Sequence, residues 1–366
     1  MFSRLFESLR SLGFGNRRTI PSLDGLRATA IFVVLVSHLA GTRHFPFRME
    51  DPSRLGEFGV RIFFVISGYL ITSLLLNELH KTGAISLSQF YFRRVLRLFP
   101  AAYFLIAVVA ALASMRLVIL GQHDLTFAIT YSMNYHDPAA WPLGHLWSLA
   151  IEEQFYFLWP ILLIVLAPRR SVKFLIVILL IAPFLRLLSS YVGATFNFLI
   201  WSDVLATGCL LCLMREVLFD NPTYNQILTS RWFVFVPLSA IAADYVPFTK
   251  ISWLICGTVM NVGIAMTIDW AIRNSEGKIG RILNSPFVCF VGVLSYSLYL
   301  WQQPFLNRYS NSPLCTFPLN MVLAITAALG SYLLIEVPVL RLRSVASKPR
   351  IVAPNPEPVG ALNHGK

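Results

Sequence analysis

Charge is scarce in this chain: 13% of its 366 residues are Asp, Glu, Lys or Arg, whereas a soluble domain carries charge at about a quarter of its positions. Set against 56% hydrophobic residues, so little charge excludes an ordinary water-bathed surface. Acidic residues are scarcer still, 18 against 30 Lys and Arg. The net charge of +12 would fit a nucleic-acid partner if the basic residues lined a hydrophilic face. They cluster instead between apolar runs, which argues against nucleic acid. Cysteine is sparse as well. Cys209, Cys212, Cys256, Cys289 and Cys315 lie mostly within apolar runs, and none has a His or Cys partner at metal-ligand spacing. Neither a metal nor a permanently bound cofactor is expected. Cys209 and Cys212 have the spacing of a CxxC pair, but on a lipid-embedded helix they also read as small apolar packing residues.

Apolar runs of about twenty residues fill most of the chain, and each is long enough to cross a hydrocarbon core of roughly 30 Å as a helix. About ten can be drawn: Leu26–Ala40, Phe58–Asn77, Phe99–Ile119, Leu146–Leu166, Phe174–Leu188, Phe196–Met214, Trp232–Tyr245, Ile251–Trp270, Phe287–Phe305 and Leu319–Val337. The run at Trp232, bounded by Pro247, is short enough to merge with its neighbour or to be re-entrant. The expected fold is therefore all-α, a polytopic transmembrane helix bundle. Lys and Arg are retained on the cytoplasmic side of such bundles. With the N-terminus inside, the inner loops collect Arg93, Arg94, Arg97, Arg169, Arg170, Lys173, Arg273, Lys278 and Arg281, while the opposite loops hold Arg43, Arg48, Arg54, Lys250 and Arg308. Both termini are thus expected in the cytoplasm.

The domain division follows. Residues 1–20 form a basic tail with Leu5, Phe6, Leu9 and Leu12 at helical spacing, suited to the membrane surface. Residues 21–343 form the membrane domain. Residues 344–366, with Pro349, Pro354, Pro356 and Pro358, hold too few apolar residues to fold alone and read as a flexible tail.

Ionisable side chains at membrane depth are costly and need a partner or a wet cavity. In SLDGLRATAIFVVLVSHLAG, Arg27 and His38 lie eleven positions apart, close to three helical turns, so they share a face and sit roughly 16 Å apart along the axis. Asp24 precedes Arg27 by three residues and can pair with it. A single buried histidine is also what a hydrogen-bonded core residue looks like. FGVRIFFVISGYLIT places Arg61 near a membrane edge, followed by Ser67 and Gly68, a step that permits close helix contact as readily as a role in a site. In GHLWSLAIEEQFYFLWP, His145, Leu149, Glu152 and Tyr156 share a stripe, with Glu153 turned toward Leu149 and Phe157. At least one of the two carboxylates is expected to face the bundle interior; a pair at headgroup level without a role is the alternative. In YFRRVLRLFP, one helical turn presents Arg93, Arg94 and Arg97. Such a turn suits phosphate oxygens, which Arg grips in a bidentate fork, and equally suits anchoring to anionic lipid.

Taken in order, LDGLRATAIFVVLVSH with its Arg-x10-His spacing, FFVISGYLI at Phe63–Ile71, FRRVLRLFP at Phe92–Pro100 and HLWSLAIEEQFYFLWP at His145–Pro160 resemble the acyltransferase-3 family of integral membrane acyltransferases, which includes O-acetylases of bacterial surface polysaccharides. The likeness spans nearly all of Pro21 to Pro338. Near its end, SYSLYLWQQP has Gln302 where the family often has His, and LLIEVP has Val337 where a basic residue is common. These two departures are read as standing apart from Arg27 and His38.

The resemblance implies transfer of an acyl group, most often acetyl, from cytoplasmic acyl-CoA to a hydroxyl on a glycan or lipid-linked saccharide, in the inner (plasma) membrane of a bacterium. It implies His38 as general base, or as an acyl-carrying nucleophile. Glu152 is implied as a second catalytic residue that orients a partner or binds acceptor hydroxyls. Asp24, Arg27, Arg61, Ser67 and Glu153 become substrate-binding candidates, and Arg93, Arg94 and Arg97 candidates for the CoA phosphates. The soluble esterase-like domain of some members is expected to be absent. The acyl chain, the acceptor and the oligomeric state stay open. The rival from another class is a transporter or flippase that moves an acyl or lipid-linked substrate without chemistry, since buried charge also marks substrate paths; the matching halves with broken helices expected of that class are not evident.

Overall fold

The computed structural model of the protein describes residues 20–47, 49–192, 197–246 and 249–346. The tails drawn at 1–20 and 344–366 fall almost wholly on 1–19 and 347–366, outside the described residues. Among the described residues the chain is helical and contains no β-strand, as expected where backbone groups must satisfy one another within each segment.

The main helices are α1 (Leu23–Leu39), α2 (Pro52–Thr82), α3 (Leu87–Ser114), α4 (Leu146–Val192), α5 (Asn197–Leu213), α6 (Phe235–Asp244), α7 (Lys250–Arg273), α8 (Pro286–Phe305), α9 (Leu319–Ser331) and α10 (Val337–Ala346). Several ends are written locally. Pro52 and Pro286 open α2 and α8 at first-turn positions where a missing N–H costs nothing. Ser86 caps α3 through its side chain, and Thr249 with Ser252 forms a capping box at α7. Gly83, at φ 75°, closes α2 in the left-handed region. Within α4, Ala167 takes φ 58° and ψ 161°, which divides the element into two helices just before Pro168.

Among the described residues five helices are long and apolar enough to cross a membrane, and six when the bent pair Pro222–Thr229 and Arg231–Asp244, inclined at 73°, is taken as one span. The sequence runs outnumber them partly because α1 has 17 residues and because Trp141–Leu188 counts once despite its break. The weak run at Trp232 is the second member of the bent pair, a 3-10 turn at Arg231–Val234 leading into α6.

The core lies where α1 packs between α2 and α8 and where α2 meets α5. Small residues allow the second contact. A Cβ on Gly68 would fall 2.1 Å from Leu205 O, and one on Gly208 would fall 2.0 Å from Val65 O, so α2 and α5 touch backbone to backbone. Cys209 takes part in that contact, its thiol 3.4 Å from the carbonyl of Gly68. The opposite surface is apolar, with Ile164, Val165, Leu180 and Phe184 exposed, as lipid-facing helices require.

Candidate active site

α1 carries Arg27 and His38 on one face, and both address α8. Arg27 donates from Nη2 to Ser295 Oγ at 3.1 Å. Eleven residues on, His38 Nδ1 meets Gln302 Oε1 at 2.6 Å. Ser295 and Gln302 are two helical turns apart on α8, so the two helices run side by side and hold the pair in register. An amide oxygen only accepts, and the Gln302 amide nitrogen faces Tyr299 O at 3.4 Å. His38 therefore carries its proton on Nδ1, which leaves the Nε2 lone pair as its basic atom. The departures near the chain's end do not stand apart from Arg27 and His38: Gln302 is the direct partner of His38.

The loop before α4 packs at the His38 end of the α1–α8 contact. Fully buried Asp124 accepts from the backbone N–H groups of Gly121 and Ala140 at 2.5 and 3.2 Å and pairs with His136 at 2.8 Å. That knot places Trp141, whose ring meets the His38 ring edge-on with centroids 5.5 Å apart and whose Nε1 donates to Gln303 O at 3.0 Å. Arg308 lies over the same indole at 5.1 Å and donates to Ser37 O at 3.0 Å, bringing a cation near His38. Gln303 Oε1 accepts from the backbone of buried His145 at 2.8 Å, so adjacent glutamines of α8 hold the two histidine-bearing segments.

Glu152 forms a second centre. Both Ser67 Oγ and Tyr156 Oη hydrogen-bond to its Oε1, which joins α2 to α4. The Glu152–Tyr156 stripe is thus real and interior. Arg94 stacks its guanidinium 3.7 Å above the Tyr156 ring. Glu153 lies beside this group, half-buried, with Oε1 lacking a hydrogen-bond partner. Glu152 and His38 share no hydrogen bond.

The guanidinium groups of the arginine turn diverge. Arg93 pairs with Glu78 at 2.9 Å, and Arg94 turns inward onto Tyr156. The local pairing expected between Asp24 and Arg27 does not form: among the described ion pairs none joins them, and Arg27 is held by Ser295 across the helix contact instead.

Arg61, 9% exposed, donates to Asn261 Oδ1 at 3.0 Å and stacks 4.5 Å over Trp201. Asn261 passes its amide to Asp203 Oδ2 at 2.9 Å, and the same oxygen pairs with Arg186 at 2.5 Å. This Arg61–Asn261–Asp203–Arg186 chain links α2, α7, α5 and α4. Sequence reasoning reached Arg61 and missed the rest. Asp203 and Arg186 were detectable as ionisable residues in apolar runs; Asn261 and Gln302, being neutral, gave no such signal.

The acyltransferase domain family matches residues 20–338. O-acetyltransferase OatA of Staphylococcus aureus (strain NCTC 8325 / PS 47) is 30% identical to this chain over 354 residues, covering 88% of the chain and 57% of that relative. OatA of Staphylococcus aureus (strain MRSA252) matches to the same extent. The chain thus spans somewhat more than half the length of these relatives. No solved structure matches it.

Proposed function

This chain belongs to the acyltransferase-3 family, and from that membership we propose that it is an integral membrane O-acyltransferase moving acetyl from cytoplasmic acyl-CoA to a hydroxyl of a glycan or lipid-linked saccharide. Its relatives bear the name O-acetyltransferase. The setting proposed is a bacterial plasma membrane crossed about ten times with both termini in the cytoplasm, in keeping with the basic inner loops. In that orientation Arg27 lies toward the cytoplasm, and His38, Trp141 and Arg308 toward the opposite face.

The observation that carries the reading is the bond from His38 Nδ1 to Gln302. It fixes the tautomer whose Nε2 takes a proton. The acceptor hydroxyl gives its proton to Nε2 as its oxygen attacks the thioester carbonyl. The tetrahedral intermediate collapses with cleavage of the C–S bond, and the leaving thiolate recovers that proton from His38. Arg27 steadies the donor on the inner side, with Asp24 near it. Arg93, Arg94 and Arg97 meet the CoA phosphates where α3 rises from the inner loop. Arg61, Ser67, Glu152 and Glu153 line the path between, Glu152 acting through its bonds to Ser67 and Tyr156.

The test is transfer of labelled acetyl from acetyl-CoA by membranes holding the protein. Wild type should release CoA and label a saccharide fraction, and His38→Ala should abolish both while accumulating to the normal level. Full activity in His38→Ala, or acceptor movement without CoA release, overturns the assignment; the second outcome would favour transport.

A further inference from the structure

Two loops meet beside His38 and bring together an indole, a phenol and a guanidinium that the transfer steps leave unused. Trp141, just before α4, lies edge-on to the His38 ring at 5.5 Å and edge-on to the Tyr309 ring at 5.3 Å, centroid to centroid. The indole is held by its bond to Gln303 O at 3.0 Å. Tyr309, just after α8, sits in a closed turn: Asn307 Oδ1 accepts from Tyr309 N at 3.0 Å and Asn307 O from Ser310 N at 3.2 Å. Its side chain is nevertheless 76% exposed. An open aromatic ring is thus fixed one indole away from the imidazole.

Arg308 completes the corner, 5.1 Å from the centre of the Trp141 ring. Among the described residues its one hydrogen bond runs from Nη2 to Ser37 O, and its Nε is buried without a partner. A guanidinium carries five N–H groups, so most of this one's capacity is spare. Arg54, Arg93, Arg186 and Arg273 each pair with a carboxylate, whereas no described ion pair includes Arg308. A half-buried cation with no anion beside it has given up hydration without gaining a countercharge. The corner therefore favours an anionic visitor.

We propose that Trp141, Arg308 and Tyr309 form the acceptor subsite, and that the acceptor it fits is a saccharide bearing a carboxylate. The sugar lays a C–H face on the Tyr309 ring, whose π face is the negative end of its quadrupole. Its carboxylate takes the spare N–H groups of Arg308, a planar fork suited to that group. Trp141 spaces the sugar from the imidazole, so that a nearby hydroxyl comes to His38 Nε2. The subsite rests on reading His38 as the base of acetyl transfer. Aromatic rings suit such a role because they offer rigid contact area at little cost in conformational entropy.

The test uses detergent-opened membranes holding the full chain, with labelled acetyl-CoA and the membranes' own saccharides as acceptor. A galacturonic acid trimer and its methyl ester, which lacks the charge, are added as competitors. Against wild type the acid should inhibit labelling about tenfold more strongly than the ester, and less so as salt rises. Arg308→Gln should bring acid and ester to equal strength, with KM for acetyl-CoA unmoved. Tyr309→Ala should weaken both competitors several-fold alike and keep the acid's advantage. A merely structural Arg308 would lower the unfolding temperature in Arg308→Gln and leave the acid's advantage intact, which overturns the proposal. Equal strength of acid and ester on wild type, or inhibition by neither, also overturns it. Should Arg308→Gln not accumulate, unchanged inhibition in Tyr309→Ala overturns it. In each of these cases wild type still releases CoA and labels saccharide, so the acetyl-transfer reading stands. If wild type releases no CoA, that reading falls and takes the subsite with it.

Discussion

The imidazole of His38 and the carboxamide of Gln302 meet across the α1–α8 contact at 2.6 Å, nitrogen donating to oxygen. That bond orients the ring and selects its tautomer, as an outer partner does for a metal-bound histidine. On the proposed role of His38, a neutral residue on α8 thus controls the basic atom of an ionisable residue on α1.

Removing the Gln302 partner should therefore affect rate more than binding. Gln302→Leu is expected to lower kcat for acetyl transfer by about ten- to a hundredfold, with KM for acetyl-CoA changed little. Steady-state kinetics with both substrates varied checks this. Wild-type kcat in Gln302→Leu would show that the ring needs no such support.

Glu152 is a shared acceptor for Ser67 and Tyr156. Glu152→Ala takes the acceptor from buried Tyr156 and half-buried Ser67, at a cost of about 1–3 kcal/mol for a buried group left unsatisfied. The unfolding temperature should drop clearly. Ser67→Ala removes one of the two donors and should cost less. Thermal unfolding of the three proteins in one detergent ranks them; equal stability of Glu152→Ala and wild type would show that the network does not hold α2 to α4.

Asp203 carries the buried Arg61–Asn261–Asp203–Arg186 chain. Asp203→Leu leaves Arg186 charged and unmatched by its partner, and breaking a buried pair from one side costs about 3–5 kcal/mol. Little folded protein should be recovered. The double variant Arg186→Leu with Asp203→Leu removes both charges and should recover much of the loss, as measured by a double-mutant cycle on folded yield and unfolding temperature.

Topology can be read by labelling single cysteines introduced into a chain freed of its own. A cysteine at Glu50, before α2, should react with a membrane-impermeant thiol reagent applied to intact cells. One at Ala84, between α2 and α3, should react only after the membrane is opened. The reverse pattern would place the termini outside and move His38 to the cytoplasmic half.

Much of the fold was legible in one dimension because lipid imposes a simple rule: an apolar run of the right length must be a helix that satisfies its own backbone. The charge of the loops is the basis of the proposed orientation. The shared face of Arg27 and His38 was legible too, since eleven residues are three turns in any helix. Tyr156 falling on Glu152 follows from the same arithmetic. The turn at Arg93–Arg97 shows where arithmetic stops. Its three guanidinium groups share one turn, yet Arg93 goes to Glu78 on α2 and Arg94 to Tyr156 on α4, because adjacent positions of one turn point to different neighbouring helices.

What the sequence alone determined is the membrane character, the helices and the facing of residues within each helix, all properties of a single segment in its solvent. Tertiary structure decided the pairings: Gln302 for His38, Ser295 for Arg27 in place of Asp24, Asp203 for Arg186, Ser297 for Glu336. The physical reason is that lipid is as apolar as the side chains it surrounds, so hydrophobicity does not choose which helices meet. Close backbone approach at Gly68 and Gly208, and polar contacts made across the bundle, make that choice, and the residues involved are distant in sequence and, in several cases, uncharged.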